Sequence, residues 1–292
     1  GIKCVVFDKY PEIGGLLTYG IPEFKLEKKI VHKRREILEN LGVKFVLNFE
    51  VQAKELSEIE DKYDAIFLGL GTYESIKGDY KGFEKDGVVE ALPYLTENTK
   101  YLMNENDALS MDFKNQKVVV LGGGDTAMDC VRTALRQGAK KVTCVYRRDF
   151  ENMPGSRKEV KHAMEEGVEF LFNHQIVEAK GDDKLSELIA EETELFGNDG
   201  SGRKKPKVKE GTQKKIELDK LVIAFGYQAS PQEFFTNKKI NVDDWGLIQL
   251  NNDKFKYQTS NEKYFAGGRY DNWFKPCCLC NCSWKRCSKR NN

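Results

Sequence analysis

The stretch from Lys117 to Arg148, KVVVLGGGDTAMDCVRTALRQGAKKVTCVYRR, constrains the fold more than any other. An apolar run reaches three glycines, a helical pattern follows as far as Gly138, and a second apolar run ends in two arginines. Strand, tight turn, helix and strand over about 30 residues make one βαβ unit of a parallel sheet. Gly122, Gly124 and Ala127 keep the G-x-G-x-x-G/A spacing. In such a turn the first position allows the tight bend, the second lets a pyrophosphate approach the backbone, and the third lets helix and strand pack closely. The start of the helix adds free N–H groups and the positive end of a dipole. The stretch reads as a dinucleotide site; the bland alternative is a glycine turn used only for packing.

The end of the second strand bears on which dinucleotide. An NAD site usually places an acid there for the ribose 2′-hydroxyl. Here Arg147 and Arg148 stand in that place, and Asp149 follows too late. A guanidinium fork suits a 2′-phosphate, so NADPH is expected over NADH, unless one arginine merely points to solvent.

Elsewhere the chain alternates strand and helix patterns. KCVVFDK (3–9) is a short apolar run, 10–26 is a Gly- and Pro-punctuated loop, and Glu27–Leu41 is helical. That helix places Leu26, Ile30, Ile37, Leu38 and Leu41 on one face, with Gly42 at its stop. Strands are expected at 43–48, 63–73, 168–173, 218–231 and 259–268, a helix ending at 160–167, and a solvated hairpin or loop over 196–216. The class is α/β with two nucleotide-binding domains of Rossmann type. Asp8 ends the first apolar run where a ribose-binding acid belongs, but no glycine turn precedes it.

With 292 residues, 40% of them hydrophobic, the chain is long enough for two cores. A net charge of +1 gives no pointer to nucleic acid or an anionic membrane, and no apolar run is long enough to span one. Cys4, Cys130 and Cys144 stand alone and suit a reduced, cytoplasmic setting, whereas Cys277, Cys278, Cys280, Cys282 and Cys287 crowd the end. His32, His162 and His174 show no nucleophile or metal spacing, and neither a catalytic side chain nor a metal site is expected. The chain begins at Gly1, which suggests processing or a fragment.

The motifs IGGLLTYGIPEFKL, YDAIFLGLGTY, VVVLGGGDTAMDCVRTALRQGAKKVTCVYRRD, NMPGSRKEVKHAMEEGVEFLFN, VIAFGYQASP and QTSNEKYFAGG occur in order across nearly all of residues 1–268. Together they resemble the small (β) subunits of NADPH-dependent glutamate synthases, within the pyridine nucleotide–disulfide oxidoreductase superfamily. The resemblance implies a disulfide-reductase-type flavoprotein with an NADPH domain (113–228) inserted into an FAD domain (1–112 and 229–268), followed by an atypical tail (269–292). It implies that Asp8, Gly14, Gly15, Leu16, Leu17, Gly71, Thr72 and Gly268 flank FAD. It likewise implies that Gly122, Gly124, Asp125, Thr126, Ala127, Arg147 and Arg148 hold NADPH. The family's iron–sulfur clusters belong to an N-terminal domain not contained in this sequence. The first strand and glycine turn of the FAD domain are missing too, so that domain is expected to be incomplete and to retain FAD poorly.

The implied chemistry is hydride transfer from NADPH to FAD, then passage of electrons through clusters to a large (α) subunit that makes glutamate from glutamine and 2-oxoglutarate. Such a step needs stacked cofactors rather than a protein nucleophile. No paired cysteine motif of the disulfide-reducing kind precedes residue 277. Two alternatives remain: a catalytically inactive nucleotide-binding remnant, or the electron-entry module of another enzyme, such as a dihydropyrimidine dehydrogenase or a ferredoxin–NADP reductase.

The resemblance places an Asp after the Gly-Gly pair, but Arg269 stands there and no apolar helical period follows. The tail's cysteines match no paired zinc spacing. One choice of codons for Arg269–Pro276, shifted by one base, reads Asp-Met-Ile-Thr-Gly-Ser-Asn-Leu-Val. The tail is therefore expected to be an out-of-frame translation, with the register lost near Gly268, and to be disordered.

Overall fold

A computed structural model describes residues 2–78, 80–200, 202–251 and 255–268; the tail expectations lie outside the described residues. The first half holds β1 (Val5–Phe7), α1 (Leu16–Tyr19), α2 (Lys28–Asn40), β2 (Lys44–Val46), α3 (Ala53–Lys62), β3 (Ile66–Leu68), β4 (Glu74–Ser75), β5 (Val88–Glu90) and α4 (Ala91–Leu102). Next come β6 (Lys117–Leu121), α5 (Asp125–Arg136), β7 (Lys141–Tyr146), α6 (Arg157–Glu165), β8 (Glu169–Phe172) and β9 (His174–Lys180). The rest is β10 (Glu187–Phe196), β11 (Lys205–Val208), β12 (Lys214–Glu217), β13 (Lys220–Ile223), β14 (Tyr227–Gln228), α7 (Phe234–Asn237) and β15 (Tyr264–Ala266). By contact the chain forms two units: one takes residues up to Pro11, Gly42–Glu74 and Tyr227 onward, the other Glu12–Leu41 and Ser75–Gly226.

The second unit is built on a five-stranded sheet of order β5-β13-β6-β7-β8, parallel throughout. Alternate residues of β6 serve opposite faces. Val118 and Val120 meet Ala127, Met128 and Val131 of α5 together with Tyr94 of α4. Val119 and Leu121 meet Ile176, Leu188 and Ala190 of an antiparallel sheet formed by β9–β12. Both faces are covered, so β6 reads as an unbroken apolar run. The chain leaves β6 toward β7 and β8 on one side and returns to β13 on the other, which puts a topological switch point between β6 and β13. The stretch 196–216, expected as a solvated hairpin or loop, supplies β11 and β12, each antiparallel to β10. Leu188 and Ala190 of β10 enter the shared core, and Ile189 and Glu191 between and beside them are buried too, which anchors that sheet.

The first unit contains two parallel pairs, β1–β2 and β3–β15. Its core joins Leu56, Leu68, Phe234, Phe235, Ile240 and Tyr264. In the second unit, α1 interrupts the expected 10–26 loop, and α2 departs from its expected apolar face. Within α2 only Lys28 and Val31 are buried, while Ile30 and Ile37 are exposed, and Leu41 just beyond the helix is 76% exposed. The helix turns Val31 toward Gly14, where an added Cβ would meet Val31 Cγ1 at 3.2 Å, so the Ile30–Ile37 stripe faces outward.

Candidate functional site

The glycine turn sits at the carboxyl end of β6, at the switch point. Gly122 has φ +146°, and a Cβ there would lie 2.3 Å from the Ala224 carbonyl oxygen just beyond β13. Only glycine fits so close to a neighbouring backbone. At Gly123 a Cβ would lie 2.5 Å from the Tyr146 ring. Gly124 is different: its backbone is extended, and a Cβ would meet nothing within 4 Å among the described residues. The turn is therefore packed hard on its strand side and open where the helix begins.

At that opening α5 starts with Asp125. No side chain caps the helix, and the Asp125 and Thr126 N–H groups have no acceptor among the described residues. The Asp125 carboxylate instead accepts the Ser156 N–H at 2.8 Å. Ala127 is fully buried, as close helix–strand packing requires. A wall that the sequence reading assigned no role comes from Met153–Ser156. The Gly155 N–H donates to the Gly123 carbonyl at 3.0 Å, and a Cβ on Gly155 would lie 2.9 Å from that oxygen. The signal was present in the MPGS string, whose Pro-Gly pair marks a turn.

The two arginines after β7 have different surroundings. Arg147 is exposed, with no ion pair among the described residues. Arg148 is 4% exposed. Its Nε donates to the Lys204 carbonyl at 2.5 Å and its Nη2 to Asp199 Oδ2 at 2.8 Å.

Of the positions expected around FAD, Asp8, Gly71, Thr72 and Gly268 belong to the first unit and Gly14–Leu17 to the second. Asp8 follows β1, and its Oδ1 accepts the Tyr10 N–H at 3.0 Å. Burial holds this carboxyl above its ordinary pKa. A half-buried carboxylate at the end of a parallel strand fits a ribose hydroxyl. Gly268 has φ +94°, with nothing among the described residues within 4 Å of an added Cβ, whereas Gly71 at φ +71° is closed by the Tyr73 ring and Thr72 is buried. In the second unit, Gly14 at φ +103° leaves no room beside Thr18 Oγ1, Gly15 precedes α1, and Leu17 is partly exposed. The buried Lys28 ammonium donates to the Leu17 and Ile21 carbonyls and so fixes the turn around α1. Burial lowers the Lys28 pKa to about 8.

No group of three or more metal-ligating side chains occurs among the described residues. His174 Nδ1 lies 2.7 Å from the Phe172 carbonyl, and His32 Nε2 lies 3.6 Å from Glu12. No described helix is long and apolar enough to cross a membrane.

The NADPH-dependent glutamate synthase small chain of Halomonas elongata is 49% identical over 92% of this chain, and that of Escherichia coli is 48% identical over the same share. This chain spans 58% of the length of each. Among solved structures, Mycobacterium tuberculosis FprA in complex with NADPH matches with a TM-score of 0.75 at 18% identity, covering 91% of this chain and 72% of that one. Lactococcus lactis thioredoxin reductase matches with a TM-score of 0.65 at 19% identity, covering 96% and 86%. These two likenesses show a shared fold. Residues 10–270 match the pyridine nucleotide-disulphide oxidoreductase family, and the chain belongs to that family.

Proposed function

We propose that this chain is the NADPH-oxidising flavoprotein part of a glutamate synthase small subunit. The observation that carries the nucleotide assignment is the open start of α5. Gly124 leaves room at the backbone, and the Asp125 and Thr126 N–H groups have no acceptor among the described residues. A pyrophosphate is the ligand such a helix start accepts. The 48–49% identity to glutamate synthase small chains supports the physiological assignment.

In this reading Gly122, Gly124, Asp125, Thr126 and Ala127 form the pyrophosphate turn, and the Gly155–Ser156 backbone walls it. Arg147 and Arg148 serve the 2′-phosphate. Asp8 takes an FAD ribose hydroxyl, Gly71, Thr72 and Gly268 line the same cofactor, and Gly14–Leu17 form a further flavin-flanking turn. FAD, when bound, supplies the two-electron to one-electron conversion that the side chains cannot. The chain's own part is to bind and orient the nucleotide and to exclude water, which is why no acid–base pair is needed at the site. Domains 113–228 for NADPH and 1–112 with 229–268 for FAD are the corresponding assignment. Iron–sulfur clusters and a large subunit would receive the electrons, and glutamate would be the final product.

Calorimetric titration with NADPH and NADH tests the nucleotide step. Arg147→Ala is expected to weaken NADPH by about 1.5–3 kcal/mol, the range for a charge-assisted hydrogen bond to phosphate. NADH binding should hardly change; equal loss for the two nucleotides would refute the 2′-phosphate role. Co-purification with a glutamate synthase large subunit tests the partner, and its absence under conditions where NADPH binds would refute that assignment.

A further inference from the structure

Arg148 already holds an anion. Its Nη2 lies 2.8 Å from Asp199 Oδ2, in the connection between β10 and β11. The same carboxylate accepts the Arg203 N–H at 3.1 Å through Oδ1, and its Oδ2 lies 3.9 Å from Arg203 Nε. Two guanidinium groups thus converge on one internal carboxylate beside the end of β7. That is the charge pattern a phosphate monoester would seek at this position.

A second contact, not made to the Asp199 carboxylate itself, also orients Arg148. Nε donates to the Lys204 carbonyl at 2.5 Å. Lys204 N–H in turn donates to Asn152 Oδ1 at 3.0 Å, and the Tyr146 hydroxyl donates to the Asn152 carbonyl at 2.9 Å. The guanidinium keeps its orientation through Lys204, so its charge can serve a second anion if Asp199 gives way.

We propose that Asp199 is a specificity-determining residue: its carboxylate competes with the nucleotide's 2′-phosphate for Arg148 and thereby tempers the preference for NADPH over NADH. The proposal rests on the NADPH assignment above. A carboxylate carries one charge, whereas a 2′-phosphate carries close to two at neutral pH, so the phosphate wins the exchange at the cost of part of its binding energy. NADH offers only a hydroxyl there and leaves the Arg148–Asp199 pair intact.

The experiment is titration of the whole chain with NADPH, NADH, adenosine 2′-monophosphate and adenosine 5′-monophosphate. Asp199→Asn keeps an acceptor oxygen for the Arg203 N–H while removing the charge. It is expected to tighten NADPH and adenosine 2′-monophosphate on the order of three- to tenfold, about the difference between a charge-assisted and a neutral hydrogen bond. NADH and adenosine 5′-monophosphate should not change. Asp199→Ser repeats the test with a second acceptor should the Asn variant melt early. In an Arg148→Ala background Asp199→Asn should have no further effect, which a cycle of the two changes reads directly. Equal shifts for all four ligands, or none, would overturn the role of Asp199. If the unaltered chain binds NADPH no better than NADH and Arg147→Ala changes neither, the NADPH assignment itself falls, and this proposal with it.

Discussion

Gly122 and Gly124 sit two residues apart and carry opposite demands. At Gly122 the backbone is in the left-handed half of φ, and an added Cβ would meet the Ala224 carbonyl oxygen at 2.3 Å. Gly122→Ala should therefore cost roughly 3 kcal/mol of stability, read by denaturant titration. At Gly124 the backbone is extended and the space is open, so Gly124→Ala should fold with a loss of only about 0.5 kcal/mol at the helix start. The new methyl would occupy the ground where the pyrophosphate approaches, and NADPH should weaken on the order of tenfold, about 1.4 kcal/mol. A Gly124→Ala protein that binds NADPH normally would show that the nucleotide lies elsewhere. Lys28 offers a second test at this scale. Burial lowers its pKa to about 8 from 10.5, so the folded chain binds fewer protons than the unfolded chain between those values. Stability should rise with pH across that window by about 1–3 kcal/mol. Lys28→Met should remove the rise; a variant that keeps the same slope would assign it to another group.

Helices α5 and α6 are joined by charge as well as by apolar packing. Arg132 on α5 pairs with Glu159 and Glu166, Arg136 pairs with Glu166, and both guanidinium groups lie over the Phe24 ring. The two arginines hold the Glu166 carboxyl at about 2, below its usual 4.5. A depressed carboxylate stabilises the fold above its unfolded pKa, and that contribution disappears as pH falls from about 4.5 to about 2. Glu166→Gln should flatten this acid limb by about 1 kcal/mol after solvent screening; an unchanged limb in acid denaturation would place the effect elsewhere. The β6–α5–β7 unit was legible because an apolar run, three glycines and an amphipathic helix all point to one structure. The exposed stripe on α2 was not, since helical period alone does not say which face finds a neighbour. The β9–β12 sheet was hidden because β9 (HQIVEAK) and β10 (ELIAEETELF) set apolar residues side by side and break the strict alternation that marks a strand. The different surroundings of Arg147 and Arg148 depend on Asp199 and Lys204, some fifty residues away in sequence, and no local motif announces such a contact.

The division of the chain into two contact units predicts how it opens. In the second unit β6 lies inside a five-stranded sheet with apolar cores on both faces. In the first unit the described parallel strands form pairs of three residues each. Two-stranded pairing is marginal by itself, so those amides depend on the core around Tyr264 and Leu68. Native-state hydrogen exchange should therefore be slowest in β6, β7 and β13 and faster in β1, β2, β3 and β15. A nucleotide that binds at the start of α5 adds its binding energy only to states in which the second unit is folded. At a free NADPH concentration of about 100 times Kd, the opening free energy of β6, β7 and β13 should rise by about 2.7 kcal/mol. The β1–β2 and β3–β15 amides should keep their rates if the units open independently. An equal rise in both sets would mean that the two units unfold as one, and a rise confined to the first unit would contradict the placement of the nucleotide at α5.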